Sequence, residues 1–366
     1  MTDRHRILAA LAAATVVALA GCGVPAEVAG TPTPTVADDR PLAELDLIPD
    51  PRDHVGAATA VMASEEVEPV AENPAQSLPA TVVSHDPGGE REITITDTSR
   101  VIGLDMSGSI AATIWGLGLG ELLVGRDTST TFPGAVDLPL VTSGGHAIDA
   151  ESVLALRPSL ILTDGTIGPR DVLVQLREAG VTVVFIDDVP SFDGASQLAR
   201  DVAAALGVPE TGELLAERIR ADVDAKIAEI AAIAPTDEAD KVRIMFLYLR
   251  GGSGIYYLFG EESGAGDLIR ALGGVDVAGE IGWTGMKPMT DEAIIAANPD
   301  LILTMTTGLV SSGGVSGLLA AKPAIALTPA GQHERFVDMA DGDVLGFGPR
   351  SADVLDALAR AIYARP

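Results

Sequence analysis

Tyr248 and Arg250 stand two residues apart at the end of the apolar run "IMFLYLR". Side chains alternate along a strand, so both emerge on one face. A tyrosine is a poor metal ligand while it keeps its proton, with an ordinary pKa of about 10; a neighbouring cation favours the phenolate. Two other donors lie elsewhere: the imidazole of His146 in the glycine-flanked loop "SGGHAID", and the thioether of Met305 at the end of "LILTM". One histidine facing one tyrosine would offer a nitrogen and a hard oxygen to ferric iron. Taken singly each has a plainer role, Tyr248 as a packing residue, His146 as a turn residue and Met305 as core filler.

Composition narrows the classes of function. A chain of 366 residues with 47% hydrophobic content has room for two cores and is not disordered along its whole length. Lys plus Arg number 24 against 52 Asp plus Glu, and the net charge of −28 repels a phosphate backbone, so nucleic acid is no partner. Five histidines and the single Cys22 exclude a disulfide framework and any Cys-rich zinc or iron–sulfur site. Cys22 ends "LAGC", after Arg4, Arg6 and the run "ILAALAAATVVALA". That run is shorter than the roughly 20 residues a membrane span needs but suits a secretory leader. It resembles the lipobox of bacterial lipoproteins, which implies that residues 1–21 are a signal peptide and that Cys22 carries lipid; an ordinary signal peptide with a chance cysteine is the alternative. Residues 22–97 hold 15 Asp/Glu against three Arg, with many Pro and Ala, and are expected to be a disordered, self-repelling tether in which His54 and His85 have no structural role.

An internal repeat sets the architecture. "IDAESVLALRPSLILTD" (148–164) aligns with "MTDEAIIAANPDLILTM" (289–305) at a constant offset of 141, with seven of 17 positions identical. Each copy reads as a capped amphipathic helix, a Pro-containing turn and a buried strand. Alternating strands and helices at this spacing favour parallel sheets. The fold class is therefore α/β, two similar lobes with mainly parallel sheets, at 98–205 and 237–366. Between them, in 206–236, Leu215, Ile219, Val223, Ile227 and Ile230 share one face of a helix of about 26 residues and roughly 39 Å, long enough to join the lobes and limit their closure.

A lipobox, an acidic tether, two α/β lobes and one linking helix together resemble the class III solute-binding proteins of ABC importers. The stretches "SGGHAIDAESVLALRPSLIL", "LYLRGG", "GMKPMTDEAIIAANPDLILTMTTGL" and "LGFGPRSADVLDALA" resemble, within that class, the haemin-binding lipoproteins of Gram-positive haem-uptake operons. The resemblance implies ferric haem b as cargo, His146 and Tyr248 as its axial ligands, Arg250 as support for the tyrosine and Met305 as an accessory or alternative ligand. Met286, Met289 and Tyr257 would line the pocket, and Tyr256 would shape a hairpin or the wall. It also implies that Glu151 and Glu292, equivalent under the repeat, dock onto the permease dimer with its cytoplasmic ATPase, that the protein is a lipid-anchored monomer outside the cytoplasmic membrane, and that it catalyses no reaction.

Arg126, Arg170 and Arg350 are candidates to pair haem propionates, and His333 is expected to be solvated. A ferric siderophore or cobalamin receptor of the same fold is the alternative. A free zinc or manganese receptor would want several His and carboxylate ligands, and His146 is the only His between residues 100 and 330. Against an enzyme, neither "GLDMSGSIA" nor "GGSGIYY" forms a G-x-S-x-G elbow.

Overall fold

The computed structural model describes residues 32–35 and 40–365; Cys22 and the leader before it lie outside the described residues. In the N-terminal lobe the apolar strands Val101–Leu104, Leu123–Gly125, Leu160–Thr163 and Thr182–Phe185 form one parallel sheet, in the spatial order fourth, third, first, second. Leu160 and Leu162 enter one apolar cluster and Ile161 the other, because a parallel sheet covered on both faces buries both sets of a two-residue period.

The C-terminal lobe repeats the plan with a larger sheet. Strands Phe336–Met339, Leu301–Met305 and Arg243–Arg250 are parallel neighbours, and Ile255–Leu258 turns back antiparallel beside the last of them. Ile244 and Phe246 face one core and Met245, Leu247 and Leu249 the other, so parity places Tyr248 on the Phe246 face. Both copies of the sequence repeat fold as expected. Asp149 accepts from the N–H groups of Glu151 and Ser152 at the start of helix Ala150–Ala155, and Thr290 accepts from Ala293 N–H at the start of Asp291–Ala297, each satisfying donors that a helix start leaves unpaired.

The linking helix spans Pro209–Ala231, 23 residues and about 35 Å. Its Leu215 and Ile219 belong to the core of the first lobe, its Val223 and Ile230 to that of the second. Lys226 adds ion pairs to Asp356 (2.9 Å) and Glu229 (2.6 Å). A second connection is a loop of the C-terminal lobe that crosses over: Phe347 joins the N-terminal core and meets Phe192 edge-on at 5.2 Å. Arg350 lies over the Phe132 ring at 5.9 Å and pairs with Asp343 at 2.8 Å. Among the described residues no helix is long and apolar enough to cross a membrane.

The expected disordered tether is corrected over residues 40–97. Strand Ala58–Thr59 extends the C-terminal sheet beside Phe336–Met339. The hairpin Ala80–Ser84/Arg91–Ile95 docks on the first lobe, where Ser84 Oγ accepts from Phe185 N–H at 2.9 Å and His85 N–H donates to the Phe185 carbonyl. Leu42, Ile48, Met62, Val67 and Ile95 are buried. These residues are scattered among acids and prolines, so they show no period; they become ordered because two finished sheets offer unpaired edges and apolar ground. His54, half-buried, likewise has surroundings rather than solvent. Leu42, 1% exposed in the C-terminal core, tests the segment: Leu42→Ala is expected to cost about 2–4 kcal/mol, read as a lower Tm, whereas a free tether would leave Tm unchanged.

Candidate ligand site between the lobes

The register that pairs Leu247 with Thr304 sets Tyr248 beside Met305 at the carboxyl ends of adjacent parallel strands, where open α/β sheets bind ligands. Both side chains are partly buried and pack on the same core. Opposite Tyr248 on the antiparallel neighbour is Tyr257, its ring stacked at 6.5 Å and 17°; Phe259 meets Tyr248 edge-on at 6.0 Å. Three aromatic rings thus form one wall and hold the phenol ring in place. Arg250 follows on the same face. Its Nε donates a hydrogen bond to Tyr248 Oη, and its guanidinium carbon lies 5.6 Å from the ring centroid.

His146 sits at the tip of the hairpin Thr142–Ser143/Ala147–Ile148 in the other lobe. The turn needs left-handed backbone at Gly144 (φ +56°) and Gly145 (φ +98°), which glycine adopts without strain. Thr128 Oγ1 anchors the tip by donating to the Gly145 carbonyl at 2.6 Å. The imidazole is partly buried, and its Nδ1 is shielded from solvent without a hydrogen-bond partner. Its pKa is lowered, first by burial and then by Arg250, against a smaller opposing pull from Asp341. Both charges belong to the C-terminal lobe, so the imidazole lies within electrostatic reach of Arg250. It is held neutral, the form that ligates metals.

Other expected residues divide. Met286 is exposed (54%). The expectation for Met289 is corrected: it is buried with Met245, Leu247 and Leu249 on the other face of the sheet, because the short strand Lys287–Pro288 pairs with Leu258 and Tyr257 and turns the next residue inward. Tyr256 also packs on that face, under Lys322 Nζ at 4.7 Å. Arg350 is committed to Asp343, and Arg126 donates to the carbonyls of Val136 (2.9 Å) and Asp127 (3.2 Å), so neither is a loose propionate partner; Arg170 is exposed at a helix start. His333 Nδ1 lies 3.2 Å from the Arg52 carbonyl oxygen. Glu151 and Glu292 are exposed in the first turns of their helices.

A row of carboxylates emerges only in the fold. The strands of the N-terminal sheet end in "GLD", "GRD", "LTD" and "FIDD", which places Asp105, Asp127, Asp164 and the pair Asp187–Asp188 in a row along its carboxyl edge. Asp105 accepts from the N–H groups of Ser107, Ser109 and Ile110 at the start of helix Ser109–Gly116. Burial raises its pKa in spite of these bonds. Asp127 and Asp188 are pushed up to about 7 and Asp164 to about 6, by burial and then by the charge of Asp105. Asp188 Oδ1 is buried without a partner. Among the described residues no three His, Cys, Asp or Glu side chains converge to hold a metal ion.

Two α/β lobes joined by a helical link define a solute-binding protein of the class III periplasmic-binding fold. Residues 106–341 match the family model described as periplasmic binding protein, and the chain belongs to that family. The crystal structure of heme binding protein HmuT superposes with a TM-score of 0.80 at 38% identity, over 86% of this chain and 100% of that one. Variants of HmuT with an arginine, a tyrosine or a histidine replaced by alanine superpose at 0.82, 0.82 and 0.80. An uncharacterized ABC transporter substrate-binding lipoprotein of Bacillus subtilis, YvrC, is 25% identical over 82% of this chain and 90% of its own length. A cobalamin-binding protein of Halobacterium salinarum is 26% identical over 73% and 70% respectively.

Proposed function

We propose that this chain is an extracytoplasmic receptor that grips ferric haem between its lobes and passes it to an ABC importer. What supports this reading is a histidine with an unpartnered ring nitrogen in one lobe, its pKa lowered in part by Arg250 of the other, and a phenol whose oxygen accepts from that guanidinium. Ferric iron takes both as axial ligands. Tyr248 supplies the hard oxygen donor, Arg250 donates a hydrogen bond to that oxygen, and His146 takes the opposite face. Met305, beside Tyr248, is an accessory or alternative ligand. Tyr257, stacked beside Tyr248, offers an aromatic face to a porphyrin.

Haem is anionic at its propionates, and the net charge of −28 slows its approach; capture therefore relies on coordination. Glu151 and Glu292, one exposed on each lobe, suit two equivalent sockets on a symmetric permease. Cys22 holds the protein on the membrane through lipid, and the receptor works as a monomer. Its role is binding and delivery.

The test is a hemin titration of the purified protein, with a Soret band saturating at a fixed stoichiometry as the expected result. Cobalamin is the competing cargo, favoured by the archaeal relative, and parallel titration with cyanocobalamin distinguishes the two. Arg250→Ala is expected to weaken hemin binding about 10–100-fold, seen as a faster loss of haem to apomyoglobin. An unchanged rate would remove Arg250 from the site.

A further inference from the structure

We infer that the protein docks on its importer through two matching apolar knobs, Leu154 on the N-terminal lobe and Ile295 on the C-terminal lobe, each seated in an apolar pocket beside a cation that meets the neighbouring glutamate. The inference rests on the importer reading above and adds to it the chemistry of the partner's surface. Both residues lie in the sequence repeat, and the offset of 141 carries one onto the other as it carries Glu151 onto Glu292. In helix Ala150–Ala155 the side chains of Glu151, Leu154 and Ala155 are exposed, and in Asp291–Ala297 those of Glu292, Ile295 and Ala296. Spacings of three and four place each trio on one helix face.

The two units match in three dimensions as well as in sequence. Val153 and Ile294, at equivalent positions, are both fully buried. Arg157 and Asn298, which follow the two helices and precede Pro158 and Pro299, share left-handed backbone at φ +49° and +42°, a conformation that residues other than glycine seldom adopt. Packing explains why Val153 and Ile294 are apolar. It gives no account of Leu154 and Ile295, which are 43% and 53% exposed and belong to none of the apolar clusters of the described residues. A single exposed leucine is ordinary. The same pairing of a glutamate with a branched aliphatic side chain, set out once on each lobe, is what a partner with two equivalent sockets reads.

Charge selects the kind of partner. A second copy of this chain, itself of net charge −28, would bring glutamate against glutamate on these faces, and an anionic lipid surface would be repelled likewise. A protein with Arg or Lys at the mouth of an apolar pocket fits, because burial of the aliphatic side chain excludes water from the ion pair beside it and strengthens the attraction. Two copies of that pocket call for a two-fold symmetric partner, as a permease dimer is. Asp149 alone separates the hairpin that carries His146 from the first helix, and Met305 ends the strand that follows the second. Both faces therefore lie on segments continuous with the proposed haem ligands.

The test measures, by interferometry, the affinity of the full-length protein for the haem importer of the same cell, permease dimer with ATPase in lipid nanodiscs. Leu154→Ala and Ile295→Ala are each expected to weaken docking by about 5–10-fold, and the double variant by about the product of the two, because the positions lie on separate lobes. Tm and hemin titration should match wild type, since neither side chain belongs to an apolar core. Val174→Ala is the control. Val174 is 52% exposed on helix Arg170–Glu178, but the position 141 residues on, Val315, is buried, and docking should be unchanged; an equal loss there would assign the effect to general surface hydrophobicity and overturn the pair. A loss confined to one of Leu154→Ala and Ile295→Ala would overturn the equivalent sockets. Weak docking of Glu151→Ala and Glu292→Ala beside wild-type docking of the double aliphatic variant would overturn the apolar pockets and leave the glutamate contacts standing. Wild-type protein that binds hemin but not the importer would overturn the docking faces and leave the haem reading intact. A wild-type dimer in sedimentation that the double variant dissolves would give the faces to a second copy and overturn the importer assignment.

Discussion

Tyr248→Phe is expected to weaken hemin binding by about 100-fold or more, at ~1.4 kcal/mol for each factor of ten. The change deletes one oxygen and leaves the ring between Tyr257 and Phe259, so the wall of the site survives and the loss reports on the iron bond. It also leaves the exposed Arg250 guanidinium without that acceptor. The charge-transfer absorption of a ferric phenolate should vanish while a six-coordinate or Met305-assisted spectrum can persist. His146→Ala combined with Tyr248→Ala should abolish the Soret shift altogether. A Tyr248→Phe protein that binds hemin with unaltered affinity and spectrum would refute coordination by this residue.

A second large effect concerns stability. Asp127, Asp164 and Asp188 have folded-state pKa values raised to about 7, 6 and 7, against about 3.9 for an unfolded aspartate. Folding therefore takes up protons. The cost of holding these carboxylates charged is fully present above pH 7 and is relieved as pH falls through the folded values, with the gain complete near pH 4, where the unfolded chain is protonated too. His54 and His146, whose pKa values are lowered, act in the opposite sense in acid but only below their ordinary value near 6.5. From pH 7.5 to 5.5 the protein is expected to gain on the order of 3 kcal/mol, measured by chemical denaturation. Asp188→Asn isolates the cause, since it removes a charge repelled by Asp105, Asp164 and Asp187 and gives the orphaned position an amide. At pH 7.5 it should stabilise by about 1–2 kcal/mol, and at pH 5 it should do little. A variant less stable than wild type at pH 7.5 would contradict the account.

That row of aspartates is legible residue by residue but not as a group. Each "D" after an apolar run is an ordinary strand ending; only the parallel order of the four strands brings the carboxylates into one another's field. Met289 teaches the converse. Its stretch carries the family pattern, yet one step along an edge strand sends it to the opposite face of the sheet. Residues 40–97 depart from the compositional expectation for a third reason, because composition measures whether a segment can build a core of its own, and this one borrows two cores already built.

The sequence by itself determined the alternation of strand and helix, the duplicated unit, the linking helix and the common face of Tyr248 and Arg250, since each follows from backbone periods acting over a few residues. Only the tertiary structure decided that Tyr248 packs against Tyr257 and Phe259, and that the N-terminal segment braces both lobes. Those outcomes depend on how separately folded pieces dock, and docking is governed by buried surface and charge summed over residues far apart in the chain, which no local pattern encodes.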